Sequence, residues 1–126
     1  MVEAARIARG NVKKLDELKA ADFDAVFVPG GFGAAKNLSD FAVKGEEMTV
    51  DPEVERVILE FQAAKKYISM CCIAPVIAAR VFGSKKGGPG SQLTLGCTSN
   101  DSDWPFKNSV EVAKSLGNDV ELKDID

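Results

Sequence analysis

The stretch Asp24-Ala25-Val26-Phe27-Val28-Pro29-Gly30-Gly31 decides the fold. Its apolar centre, Ala25 to Val28, is too short for a helix and is cut off by a proline and two glycines, the pattern of a buried parallel strand ending in a tight turn. A helical pattern follows. From Ala34 to Val43, Leu38, Phe41 and Ala42 stand at helical spacing, and Gly45 closes the segment. A strand that passes through glycines into a helix is the repeating unit of an α/β sheet, where ligands gather beyond the carboxyl ends of the strands. Pro29 to Gly33 occupies one such end.

The unit recurs at Tyr67-Ile68-Ser69-Met70-Cys71, a strand-like run followed at once by helix-like Ala74 to Phe82 with Pro75 near its start. Strand meets helix at Cys72. A cysteine at such a turn is held in a sharp backbone conformation with its sulfur presented to solvent, and the helix N-terminus behind it favours negative charge there. Cys72 is therefore a candidate nucleophile; the other reading is a small buried hydrophobe. The glycines at 30, 31 and 33 permit positive φ and let backbone N–H groups face an anion, although a tight turn with no ligand fits them as well. Gly31 and Gly33 supply two glycines of G-x-G-x-x-G. Lys36 occupies the third position and no acidic residue ends a second strand, so no dinucleotide or other cofactor is expected.

Outward from these units, Leu15 to Asp22 reads as a short helix or turn and Val2 to Arg6 as helical. Asp51-Pro52 is an N-cap with proline at the first helical position, and Val54, Val57, Ile58 and Phe61 continue a helix toward Lys66. Gly83 to Ser91 reads as a flexible loop and Gln92 to Gly96 as a strand. Asn108 and Glu111 have capping-box spacing before a helix that closes at Gly117, and Asp119 to Leu122 begins a last strand. The order β-α-α-β-α-β-α-β implies a mostly parallel sheet covered on both faces. Residues 1–126 contain no linker and no repeat, so a single domain is expected.

The bulk composition narrows the chemistry further. A net charge of −3 and scattered lysine pairs favour neither nucleic acid nor an anionic membrane as partner. The apolar runs are too short for membrane insertion. Three cysteines without a secretory signal point to free thiols in a reducing compartment. The chain has no histidine, which excludes His-dependent metal sites and any Cys-His pair within it.

Asp24-x-x-x-x-Pro29-Gly30-Gly31, followed by Gly33-Ala34-x-x-Asn37-Leu38-Ser39, resembles the turn of the PfpI-type, class I glutamine-amidotransferase-like superfamily, and Cys72-Ile73-Ala74-Pro75 resembles its cysteine elbow. With Val2-Glu3-Ala4-Ala5-Arg6-Ile7-Ala8-Arg9-Gly10, these stretches look like the enhancing-lycopene-biosynthesis (isoprenoid biosynthesis, amidotransferase-like) branch and its mitochondrial eukaryotic relatives. The resemblance implies an α/β, flavodoxin-like three-layer sandwich with a mostly parallel sheet, here a partial domain truncated at both ends. It implies Cys72 as nucleophile or oxidisable thiol and the N–H groups of Gly31 and Ile73 as an oxyanion hole. A mitochondrial location follows from the resemblance although the chain shows no transit peptide; a cytoplasmic one is the alternative.

Two departures change the functional expectation. The family's acidic partner of the cysteine would precede this chain and cannot be assigned in it. Where many active members carry a histidine, Thr94-Leu95-Gly96 leads to Cys97. True glutamine amidotransferase activity is therefore not expected. A glyoxalase-like site for a small carbonyl substrate and a redox-sensing thiol remain, with Cys97 as a candidate resolving cysteine for a Cys72 sulfenic acid. A catalytically inactive subunit, in a homo-oligomer or a larger mitochondrial assembly, is the alternative. Cys71 is expected to point into the core as buried filler.

Overall fold

The helix with the strongest sequence signal organises the chain. In the computed structural model, which describes residues 2–96 and 107–123, α4 (Pro52–Ala63) starts where Asp51 Oδ1 accepts the Glu53 N–H at 2.9 Å and the Val54 N–H at 3.3 Å. Proline at the first helical position loses no bond there. The helix buries Val54, Val57, Ile58 and Phe61, and it ends with Lys65 at φ 55° and the Lys66 N–H on the Phe61 carbonyl at 2.9 Å. This is the usual left-handed termination, without its usual glycine.

Before α4 come α1 (Val2–Ile7), two 3-10 turns (Leu15–Glu17 and Ala20–Asp22), β1 (Ala25–Val28), α2 (Phe32–Lys36) and α3 (Phe41–Lys44), with another 3-10 turn at Gly45–Glu47. After it come β2 (Tyr67–Met70), α5 (Pro75–Phe82), a 3-10 turn (Ser84–Lys86), β3 (Gln92–Leu93), α6 (Lys107–Ser115) and β4 (Asp119–Val120). The sheet is parallel, in two pairs. β1 lies beside β2 with Ala25 opposite Tyr67 and Val28 opposite Met70, and β3 lies beside β4 with Gln92 opposite Asp119.

α5 has Arg80 as its one charged residue and buries Pro75, Val76, Ile77, Ala78, Ala79 and Val81, which makes it the central helix of the core. Met48 and Ile58 join it there, from elements far apart in sequence. The buried Asn118 amide stitches β3, α5 and α6 together: its Oδ1 accepts the Ser91 N–H at 3.1 Å, and its Nδ2 donates to the Ala79 and Ala113 carbonyls at 2.9 and 3.0 Å. At the other end of the molecule Arg56 of α4 donates to Glu53 and Glu60 at 2.8 and 2.7 Å and to the carbonyls of Leu15 and Leu18. The guanidinium, and after it the Ala20 N–H, lowers the Glu60 carboxyl below its ordinary value.

The structure corrects three expectations. The helix read from Ala34 to Val43 is two short helices, interrupted where Ser39 Oγ donates to the Ala34 carbonyl at 2.7 Å and where Ser39 bridges to Val50. A serine hydroxyl competes with the helical ladder for that carbonyl. The segment from Gly83 to Ser91 is a fastened turn: the Gly90 N–H reaches the Phe82 carbonyl at 2.7 Å and Ser84 Oγ the Gly117 carbonyl at 2.9 Å. Asn108 lies inside α6 rather than at its cap. In the sheet, β1 and β2 are covered on one face only among the described residues. Val28 is buried and Val26, Ile68 and Met70 are half-buried, whereas Ala25, Phe27, Tyr67 and Ser69 are exposed. A short apolar run does not reveal how many faces are covered, because helices supplied elsewhere in the chain decide that.

Asp40 fastens α3 to the turn before α4. Its carboxylate accepts the Thr49 N–H at 2.5 Å and the Thr49 hydroxyl at 2.9 Å, and it pairs with Lys44 at 2.7 Å. The hydrogen bond from Lys44, then that from the Thr49 N–H, holds this carboxyl below the usual carboxylate range, at about 2. A carboxyl whose folded value lies below its unfolded value, about 3.9, contributes stability above that pH and loses it as the pH falls toward the folded value. Between pH 4 and about 2 the thermal midpoint of the native chain is expected to fall more steeply than that of Asp40→Asn, followed by circular dichroism. Parallel slopes would remove Asp40 from the acid transition.

Candidate functional site

β1 and β2 end side by side, so the turn after each faces the turn after the other. The Cys71 N–H donates to the Val28 carbonyl at 3.4 Å, the last rung between them. The Ala74 N–H then closes a turn onto the Cys71 carbonyl at 3.1 Å, with Cys72 at its first central position and φ 58°. A side chain in the left-handed region costs about 1–3 kcal/mol and persists where the surroundings fix it. Here the fixing comes from behind: Ile73 and Ala74 are buried, and α5 starts at Pro75.

Cys72 is exposed, with Gly30 against it. A Cβ on Gly30 would stand 2.5 Å from Cys72 Cβ, 3.0 Å from the Cys71 carbonyl oxygen and 3.1 Å from Cys72 Sγ. Position 30 must therefore be glycine for the two turns to meet. Gly31 is glycine for a different reason: it has φ 91° and ψ 170° at the start of α2, a conformation closed to other residues. The sequence reading named Gly31 as an oxyanion-hole donor and gave Gly30 only the positive φ of a turn glycine, which Gly30 does not adopt. The signal for its contact was the pair of consecutive glycines, where one would have made the turn.

Among the described residues neither the Gly31 nor the Ile73 N–H donates a hydrogen bond. Free donors beside an exposed sulfur can receive an oxyanion or a sulfur-bound oxygen. Phe32, 65% exposed, stands next to this turn with the Lys36 ammonium 5.2 Å from its ring centre. The cleft between β2 and β3 and the one between Lys44 and Ser115 do not include Cys72, whose sulfur lies at an open surface. Cys71 is a correction. It is exposed, because it continues the uncovered face of Tyr67 and Ser69. Cys97 lies outside the described residues.

No family model matches the chain. It is 49% identical over 118 residues to the mitochondrial ES1 protein homolog of Rattus norvegicus, and 48% identical over 118 residues to the mitochondrial glutamine amidotransferase-like class 1 domain-containing protein 3 of Homo sapiens. Both alignments take in 93% of this chain, Cys72 and the glycine turn lying well inside such a span. The chain is a homologue of these amidotransferase-like proteins. It spans 42% of their length, less than half. A crystal structure of an isoprenoid biosynthesis protein with amidotransferase-like domain from Ehrlichia chaffeensis superposes with a TM-score of 0.73 at 28% identity, over 97% of this chain and 50% of that one. The flavodoxin-like α/β fold is thus shared with an amidotransferase-like structure.

Two substitutions test this geometry by equilibrium denaturation. Gly30→Ala is expected to destabilise the homologue by about 1–3 kcal/mol, the usual cost of forcing atoms into a filled space; a neutral result would separate the turns. Cys72→Gly is expected to be more stable than Cys72→Ala by about 1 kcal/mol, because only glycine relieves the positive φ. Equal stabilities would mean the elbow is relaxed.

Proposed function

We propose that the chain carries a thiol site centred on Cys72, on an amidotransferase-like fold, that reacts with small electrophiles or oxidants and does not hydrolyse glutamine. The observation behind this reading is the exposed, positive-φ cysteine whose sulfur rests on Gly30. A side chain kept in a costly conformation at a surface is a common mark of function. The chain contains no histidine to serve as general base, assistance worth roughly two to four orders of magnitude. Chemistry that starts from the thiolate itself is what suits such a site.

Two steps fit. With a hydroperoxide the sulfur attacks one peroxide oxygen, an S–O bond forms as the O–O bond breaks, and the departing alkoxide or hydroxide takes a proton from water. The product is a Cys72 sulfenic acid, which the Gly31 and Ile73 N–H groups would receive. With a small aldehyde the sulfur adds to the carbonyl carbon, and the same donors would face the developing oxyanion. Cys97 would resolve the sulfenic acid as a disulfide, with loss of water. By likeness to the relatives named as mitochondrial, the mitochondrion is the proposed compartment.

A second reading, an inactive subunit of an oligomer or larger assembly, is favoured by the uncovered sheet face, where Phe27 is 61% and Tyr67 79% exposed. Alkylation at neutral pH, mapped by peptide, separates the two. Cys71 is an internal control, exposed and one residue away. On the reactive reading Cys72 is labelled about tenfold faster than Cys71, a difference of about 1.4 kcal/mol in barrier. Peroxide then blocks Cys72 labelling, an added dithiol reductant restores it by reducing the disulfide to two thiols, and Cys97→Ser slows that recovery. Equal rates at the two cysteines would leave the elbow inert and favour the assembly role.

A further inference from the structure

The two segments that build the elbow carry little charge, and what they carry has one sign. From Ala25 to Ser39 the one charged residue is Lys36, and from Tyr67 to Gly83 it is Arg80, in a chain whose net charge is −3. Arg80 is used by the fold, since its Nε donates to the Met48 carbonyl at 2.9 Å. Lys36 is exposed and makes no ion pair or hydrogen bond among the described residues; its ammonium stands 5.2 Å from the centre of the Phe32 ring. The carboxylate at the start of the neighbouring α3, Asp40, is already paired with Lys44 and with Thr49.

The Phe32 ring holds that charge near the elbow. Gly30 rests against Cys72 Sγ, and the Phe32 Cα lies within about 7.6 Å of the Gly30 Cα, two trans-peptide steps along the chain. Lys36, four residues on, shares the Phe32 face of α2, and a helical side chain leans toward the N-terminal end, here the Gly31 turn. An ammonium over an aromatic face is attracted by the ring and loses some of its freedom. The ring is 65% exposed, so the pair sets an apolar face and a positive charge beside the elbow.

Resting on the reading of Cys72 as a reactive thiol, we propose that Lys36, held on Phe32, is a specificity-determining residue that makes the site select small electrophiles bearing a carboxylate, of the aldehyde carboxylate class. In that step the Cys72 sulfur bonds to the aldehyde carbon, the C=O π bond opens, and the thiol proton passes through water to the new hydroxyl oxygen. The product is a hemithioacetal, with its carboxylate toward Lys36; no oxidant, reductant or leaving group takes part. Backbone N–H groups receive the charge that develops at any carbonyl, whereas a fixed ammonium distinguishes a charged reagent from a neutral one. Neither segment supplies a carboxylate to cancel its field.

The test uses iodoacetate and iodoacetamide, which differ by one charge, on the 126-residue chain, with Cys72 labelling read by peptide mass. At low ionic strength, where the Debye length is about 30 Å, Lys36→Gln is expected to lower the iodoacetate rate about threefold relative to the iodoacetamide rate. Lys36→Arg should restore it. In about 1 M salt, where that length is about 3 Å, the native chain and Lys36→Gln should give the same ratio. Lys85→Gln, which removes an equal charge from the turn after α5, should leave the ratio unchanged. Glyoxylate should protect Cys72 from iodoacetamide about threefold less well in Lys36→Gln, with protection by neutral methylglyoxal unchanged. A ratio or a glyoxylate protection that ignores Lys36→Gln, an equal response to Lys85→Gln, or a difference that persists in high salt would each overturn the proposal. The iodoacetamide rate at Cys72 against that at Cys71 reads the thiol itself, so an inert thiol and an unselective one are told apart.

Discussion

The close approach of two strand ends, with no side chain between them, is the constraint on which the site depends. Gly30 lies against the Cβ and Sγ of Cys72 and against the Cys71 carbonyl, so β1 and β2 can finish in register only if position 30 is bare. From that contact follow the last rung between the strands, the turn that places Cys72 at positive φ, and the start of α5 directly behind it. α5 is in turn the helix around which the rest packs. A substitution at the turn would therefore be felt in the core as well as at the sulfur.

The distribution of order within the molecule has the same logic. Apolar cover is concentrated on one side of the β1–β2 pair, where α4 and α5 bury Val28 and half-bury Val26, Ile68 and Met70. On the other side Phe27 and Tyr67 stand in the open, and α1 buries none of its residues. Cys71 is exposed on this side, and the Cys72 sulfur is exposed beyond the strand ends, against Gly30. A sulfur at an open surface is accessible to small reagents, but by itself it selects no substrate shape. Relatives more than twice as long as the matched region have the material to build a wall around such a site.

What could be read without coordinates was whatever is encoded locally. Asp51-Pro52 and the 3, 4, 7 spacing of Val54, Val57, Ile58 and Phe61 specify a helix start and a buried stripe in one window of sequence. Pro29-Gly30-Gly31 and Cys72-Ile73-Ala74-Pro75 likewise mark a strand stopping and a helix beginning. The readings that failed depend on partners distant in the chain. Ser39 breaks the Ala34 helix and bridges to Val50, the Gly83 turn is fastened by Gly117, and the exposure of Cys71 depends on which helices cover its strand.

The sequence by itself determined the α/β order, the parallel strands, the absence of histidine from these 126 residues and the place of Cys72 between a strand and a helix, because each is carried by neighbouring residues or by composition. The tertiary structure alone decided that the glycine turn touches the cysteine, that Gly30 rather than Gly31 makes the contact, and that one sheet face and one inter-strand cleft stay open. Those facts are distances between residues some forty positions apart. They are fixed by how strands and helices stack, which no local pattern records.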